Sequence, residues 1–496
     1  MSDRTVALAE VSRHSTGEDS WIVLNGVVWD FSNFAAAHPG GPEVIESHFG
    51  QDGSEVYNEL HSPTLVEKYF GPQKRIGLLV DDGAKLNTPE DTKIESEADK
   101  PDLETIISIR EFDLIASKAL RPKAYAYISG ATENGITKDA NTDWYRRIWF
   151  RPRVLLTGVG TVDLSTTILG QKYASPIFNA PTASVMLAHK DGELAWARGL
   201  SACGNTLIIP TMSSYPVEEI VAVLPKNHPF FFQLYVHSER AELELLLDKV
   251  GRLRPQAIIV TVDLPVMTKR EGYMRYLIRE RTKNPIPTTT KVAPMLSITA
   301  AVDAELTWKN ITWIRERTGL PVFVKGVQSA ADARLAFECG CAGIYISNHG
   351  GRALDTALPS IATLLEIRAS CPEILDKMEV FIDGGIQRGT DILKALCLGA
   401  SAVCLGRPFL YALAYGEEGV KHAVQSESTR SRRVSMSILT CLLIVLNAEL
   451  ATAMALVGIT SLDQAHPGLL NTTELNPFVD RGAADPWANK VGRSRL

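Results

Sequence analysis

Short apolar runs of five to seven residues recur through the chain at 175–180, 206–210, 230–236, 257–263, 321–325, 342–347, 379–383 and 402–406. Runs of that length, rich in Val, Ile and Phe and apolar on successive residues, predict strands buried on both faces, the habit of parallel sheets. Between them, 192–203, 241–250, 308–318, 330–339 and 390–398 carry apolar residues at helical spacing. Eight such strand and helix units predict an α/β fold, a (β/α)8 TIM barrel. A doubly wound sheet would offer a Gly-rich loop after its first strand, and this chain has none there.

The pattern ahead of the barrel is different. Trp21-Ile22-Val23-Leu24 and Val27-Val28-Trp29-Asp30 flank Asn25-Gly26, which predicts a hairpin with a two-residue turn inside a small α+β module over 5–79. Residues 80–102 are charged, poor in aromatics and broken by Pro89 and Pro101, and read as a flexible acidic linker. The barrel then occupies 103–470 and a tail 471–496. One stretch does not fit: 426–446 passes from the basic Thr429-Arg430-Ser431-Arg432-Arg433 to a nearly all-apolar run where one amphipathic helix is wanted. It reads as an anomalous insertion of the kind a retained intron leaves, and its apolar part is too short to span a bilayer.

A length of 496 residues requires more than one core, which agrees with this division. Hydrophobic content of 45% and a net charge of -6 place the chain among ordinary globular proteins and give no ground for nucleic-acid binding or a membrane span. Charge is uneven, however: residues 1–100 carry 8 Lys and Arg against 18 Asp and Glu, so a basic docking partner suits the first module. Seven cysteines without a C-x-x-C pair read as reduced core thiols. The chain finishes Ser494-Arg495-Leu496, a variant of the Ser-Lys-Leu peroxisomal address, and the expectation is a peroxisomal protein, with cytoplasm or mitochondrion as alternatives.

Candidate chemistry gathers at strand ends, where a parallel barrel keeps its active site. Ser347-Asn348-His349-Gly350-Gly351-Arg352 follows strand six, Lys325 ends strand five and Asp263 ends strand four. In the first module His38 precedes Pro39-Gly40-Gly41 and His61 lies 23 residues on. Two histidines on separate helices can clamp a haem from both faces and leave no open position, which suits electron transfer.

The 5–79 pattern resembles the cytochrome b5 domain, which implies haem b with His38 and His61 as metal ligands. The barrel, through FFQLYV, TVDLP, VKGV, SNHGGR and DGG with LGRPF, resembles the FMN-dependent L-2-hydroxy-acid dehydrogenase and oxidase family. A haem module in front narrows this to the branch that passes electrons from L-lactate to cytochrome c. The resemblance implies FMN and haem b as cofactors, a small L-2-hydroxy acid as substrate, L-lactate first, cytochrome c or another one-electron acceptor as partner, and a homotetramer. By the same resemblance His349 is the catalytic base and Asp263 raises its base strength. Arg352, Arg270, Tyr127 and Tyr235 bind the substrate, the last three also being catalytic, and Lys325 faces the flavin. FMN contacts fall on Pro181, Thr182, Ala183, Ser213, Gln233, Thr261 and Lys325, with its phosphate near Asp383, Gly384, Gly385, Arg388, Gly406 and Arg407. Tyr215 and Met267 are the residues expected to set substrate size. At 387 the family has an arginine on the phosphate and this chain has Gln387, which implies weakened FMN affinity. A peroxide-forming oxidase and a haem-binding electron carrier with an inactive barrel are the alternatives.

Overall fold

The computed structural model describes residues 4–38, 41–80, 100–156, 158–283, 302–424 and 445–479. The acidic linker, most of the 426–446 insertion and the terminal Ser494-Arg495-Leu496 lie outside them. Eight parallel strands form one sheet: Ile177–Asn179, Ile208–Pro210, Phe231–Leu234, Ile258–Thr261, Val322–Val327, Gly343–Ile346, Glu379–Asp383 and Ala402–Leu405. From strand two to strand eight each pairs with its sequence neighbour, and strand eight returns to strand one through Val403 and Ile177. Between strands one and two the Asn179 amide closes the ring, donating to the Ile208 carbonyl at 2.9 Å and accepting from the Ile208 N–H at 2.8 Å. The expected (β/α)8 barrel is present.

Side chains alternate along each strand, so one set fills the barrel and the other meets the helices. Outward residues such as Val260, Val324, Ile346, Ile382 and Val403 join the large core under the helices. Inward, Phe178, Phe231, Phe323, Tyr345 and Phe381 build an aromatic layer whose ring centres lie 5.0–6.2 Å apart. Two residues further along strands three to seven the inward positions turn polar: Gln233, Thr261, Lys325, Ser347 and Asp383. The aromatic layer therefore floors a polar one, and the chemistry sits above it.

The N-terminal module is a four-stranded sheet in which Trp21–Leu24 and Val27–Asp30 pair antiparallel. Asn25 and Gly26 turn between them at φ 53° and 76°, the left-handed pair that a type I′ turn requires. Ile22, Trp29, Phe31, Phe49, Val66 and Phe70 form its own core, distinct from that of the barrel. Helices Gly416–Val424 and Leu446–Val457 flank the insertion, and Glu449 of the second accepts from the Gly389 N–H at 2.7 Å. No helix among the described residues is long and apolar enough to cross a membrane.

Candidate active site and haem crevice

A cavity of about 690 Å³ opens above the polar layer, a size suited to a cofactor and a small substrate together. At its floor Lys325, 3% exposed, donates to Ser347 Oγ at 3.1 Å, and that hydroxyl donates to Asp383 Oδ1 at 2.7 Å. Its ammonium stands 3.8 Å from Asp263 Oδ2 and 3.9 Å from Asp383 Oδ2, so a cation this deep is offset by two carboxylates. Gln233 Nε2 donates to Thr261 Oγ1 at 2.9 Å.

His349 Nδ1 lies 2.9 Å from Asp263 Oδ1. A carboxylate can only accept, so Nδ1 carries the proton and Nε2 is left with its lone pair. Two backbone features bring the pair together. His349 adopts φ 59°, and strand five bulges after Lys325 at Gly326, φ 108°, where a Cβ would stand 2.5 Å from that of Asp263. Burial pushes the imidazole below its ordinary value; Asp263 opposes this, and Lys325 and Arg270 reinforce it. Asp263 thus acts to strengthen His349 as a base, but burial outweighs it and the net direction is down. Burial alone would raise Asp263, yet Lys325 and His349 carry it below the usual carboxylate range.

Arg352 and Arg270 stand 5.0 and 5.5 Å from the Tyr127 ring centre. Arg352 Nη1 donates to the carbonyls of Tyr127, Ile128 and Gly130 at 3.0–3.3 Å. Burial and the neighbouring Arg270 push Arg352 down to about 9. Burial works to raise the Tyr127 phenol, but the two guanidinium groups bring it below its ordinary value. Among the described residues neither arginine has a carboxylate partner, and Arg270 Nε is buried without an acceptor. Two cations lacking an anion, Arg270 buried and Arg352 partly so, make a receptor for one, and a carboxylate matches their fork. Tyr235 also lines the cavity, its phenol raised by burial.

Pro181, Thr182 and Ala183 form another wall, with Asp383, Gly384, Gly385, Gly406 and Arg407 beyond. Arg407 donates to the carbonyls of Gly350 at 3.0 Å and Gly130 at 2.7 Å. Arg388 turns away: its guanidinium reaches Glu449 and Ser108, each at 2.9 Å, because Glu449 offers an anion outside the barrel. Gln387 lines the cavity in its place. Ser213 also lies outside the lining, its hydroxyl donating to the Tyr215 carbonyl at 2.6 Å. Thr261 meets the cavity only through Gln233. Tyr215 spends its hydroxyl on the Lys190 carbonyl at 2.9 Å, and Met267 is 43% exposed. Neither size-setting candidate lines the cavity, whereas Met212 and Leu264 do. Leu264 stood inside TVDLP without being singled out, and no motif marked Met212 or Asn141, whose amide exchanges bonds of 2.8 and 2.9 Å with Asn348 behind the site.

In the first module His38 follows the short helical turn Ala35–Ala37 and His61 caps the helix Ser54–Leu60. Their ring centres are 6.3 Å apart. Two imidazoles on one metal, with bonds of about 2.0–2.1 Å, stand roughly 6–7 Å apart between ring centres, so the crevice fits a bis-His haem. His38 Nδ1 lies 3.3 Å from the Gly41 carbonyl, which turns Nε2 inward. His61 Nδ1 is buried without a partner. Burial lowers His38, and burial with the charge of His38 lowers His61 to about 3, so both imidazoles are held neutral, the form that can bind a metal. Phe31, Phe34 and Phe70, in edge contact, supply the apolar wall.

Comparison with known proteins assigns a family to each of the two units. Residues 116–472 match the FMN-dependent dehydrogenase family and residues 7–80 the cytochrome b5-like heme/steroid binding domain. L-lactate dehydrogenase (cytochrome) of Saccharomyces cerevisiae is 35% identical, covering 96% of this chain and 81% of its own length. A mutant flavocytochrome b2 solved with pyruvate bound superposes with a TM-score of 0.66 at 34% identity, covering 80% of this chain and 94% of that one. Peroxisomal (S)-2-hydroxy-acid oxidase GLO4 of Oryza sativa subsp. japonica is 37% identical but covers 72% of this chain. Relatives that span nearly the whole chain are thus cytochrome-type dehydrogenases, and the peroxisomal match is partial. That finding overturns the peroxisomal placement drawn from Ser494-Arg495-Leu496. The chain belongs to the FMN-dependent dehydrogenase family, an oxidoreductase whose FMN barrel is preceded by a cytochrome b5-like haem domain.

Proposed function

We propose that this enzyme oxidises L-lactate to the 2-oxo acid and delivers the electrons one at a time to an external acceptor such as cytochrome c. Bound in the cavity, FMN supplies a two-electron acceptor, and haem between His38 and His61 supplies a one-electron relay. Arg352 and Arg270 take the substrate carboxylate as a fork, and the hydroxyls of Tyr127 and Tyr235 fix the oxygen on C2. His349 Nε2 accepts a proton from the substrate, and Asp263 holds the imidazole and compensates the charge that forms on it. The substrate gives up two electrons and two protons in all. Lys325 places a fixed cation where negative charge gathers on the flavin.

Gln233, Thr261 and the Pro181-Thr182-Ala183 backbone serve the polar edge of the ring, and Gly384, Gly385, Gly406 and Arg407 the phosphate. Ser213 and Arg388 contribute from outside the lining, through the loop and the helix they anchor. The family bounds support a division into 5–79 and 103–470 joined by 80–102. The acidic first module suits a basic acceptor, and a homotetramer, implied by the family resemblance, is the assembly to look for.

The observation that carries this reading is the His349–Asp263 pair facing two arginines that lack an anion. An anaerobic absorbance spectrum before and after L-lactate tests it. Bleached flavin together with reduced haem bands is the expected result. A haem spectrum beside a flavin that no L-2-hydroxy acid bleaches would reject it and favour the inactive barrel.

A further inference from the structure

The haem module and the barrel share no apolar core: among the described residues, the hydrophobic clusters of the module and those of the barrel have no member in common. What joins them is polar. Glu59, two residues before the haem-crevice His61, accepts from Lys123 Nζ at 2.7 Å and from Arg121 Nη1 at 3.3 Å. Its side chain is 17% exposed, against 41% and 30% for its partners, so the pairs are partly shielded from water. Lys123 lies in the helix Pro122–Ser129, and Tyr127 of the substrate site is one turn further along it. On the other side of His61 the Ser62 N–H donates to the Ser214 carbonyl at 2.8 Å, and Thr64 Oγ1 donates to Glu219 at 2.8 Å, where Lys68 also pairs at 2.6 Å. His61 is therefore bracketed by contacts to the barrel, the charged ones being those that salt can weaken.

We propose that Glu59, gripped by Arg121 and Lys123, is a positioning residue that latches the haem module onto the substrate-side end of the barrel. The latch sets the fraction of time His61 is held beside the active site, and with it how often an electron taken from the reduced flavin reaches ferric haem. This rests on the proposed function. A surface with charged pairs and no shared core is reversible, so the module docks to receive an electron without being fixed there.

The test uses the full-length enzyme loaded with FMN and haem. L-lactate is mixed in anaerobically while flavin bleaching and haem reduction are followed separately, from low to high salt. Glu59→Lys slows haem reduction on the order of tenfold at low salt with flavin bleaching unchanged, Glu59→Gln gives a smaller loss, and high salt brings the wild type toward the variants. Reversing the partners as well, with Arg121→Glu and Lys123→Glu, restores much of the rate. Small-angle scattering gives a readout free of turnover, an expanded particle in Glu59→Lys and in the wild type at high salt. Haem reduction at the wild-type rate in Glu59→Lys, or no recovery in the reversed set, would overturn the latch. If no L-2-hydroxy acid bleaches the flavin, the proposed function falls, and scattering alone decides: expansion supports the latch and unchanged dimensions overturn it.

Discussion

His349 works as a base only when neutral, and burial with Lys325 and Arg270 holds it below the ordinary 6.5. Activity is accordingly full at neutral pH and is lost as pH falls through that lowered value, the acid limb of kcat/KM lying below pH 6.5. Asp263 is the group that opposes the shift, so Asp263→Asn moves the limb further toward acid and lowers kcat by about 10²-fold or more, while His349→Gln costs about 10²–10⁴-fold. A pH–rate profile of flavin reduction separates the two. Gln387 belongs to the same scale. It lines the cavity without a charge, and Gln387→Arg gains a charge-assisted contact of about 1 kcal/mol, roughly fivefold in FMN affinity. Titrating apoprotein with FMN and with riboflavin checks this, since only the phosphate ester gains. His349, Asp263, Lys325 and Arg352 were legible in the sequence because each stands at a strand end beside a run that fixes its depth. The direction of the His349 shift was not, because it depends first on burial in the folded cavity and then on Lys325 and Arg270, which other parts of the chain bring near. Arg388 was misplaced for a similar reason: its partner Glu449 lies 61 residues away in the chain.

At the scale of the element, the eight apolar runs gave the strands because burial on both faces leaves only one periodicity to satisfy. The bulge at Gly326 was not legible, since a single glycine inside a strand looks the same whether it weakens the strand or shapes it. Here it shapes: any Cβ at 326 would stand 2.5 Å from Asp263 Cβ and 2.9 Å from its Cγ, and φ 108° is a conformation that L residues avoid. Gly326→Ala should therefore cost about 2–4 kcal/mol through overpacking and backbone strain. Because the displaced atoms belong to the partner of His349, kcat falls with it. A lowered thermal midpoint without loss of kcat would mean that the strand yields around Asp263 instead of moving it. The seam between strands one and two escaped sequence reading as well. Nothing in Ile177-Phe178-Asn179 announces that a side chain, and not the backbone, completes the ring.

At the scale of the whole molecule, two separately cored units divide the labour, and the division makes its own prediction. The barrel holds every group proposed to meet the substrate, and the crevice between His38 and His61 belongs to the other core. His61→Ala removes one of the two imidazoles whose 6.3 Å spacing fits the haem, so haem is lost or left open on one face. L-lactate should still bleach the flavin in that variant while reduction of cytochrome c collapses. Bleaching that collapsed together with it would mean that the barrel depends on the module for its shape and not merely for an exit. The structure argues against such dependence, because the contacts bordering His61 are hydrogen bonds and ion pairs at the rim, and the polar layer of Gln233, Lys325 and Asp383 is built entirely from barrel strands. The Asn25-Gly26 turn was legible because local geometry suffices for it, and His38 and His61 because the pattern around them resembles the cytochrome b5 domain. How it meets the barrel could not be read in advance, because Glu59 finds Arg121 and Lys123 across a linker of no fixed pattern.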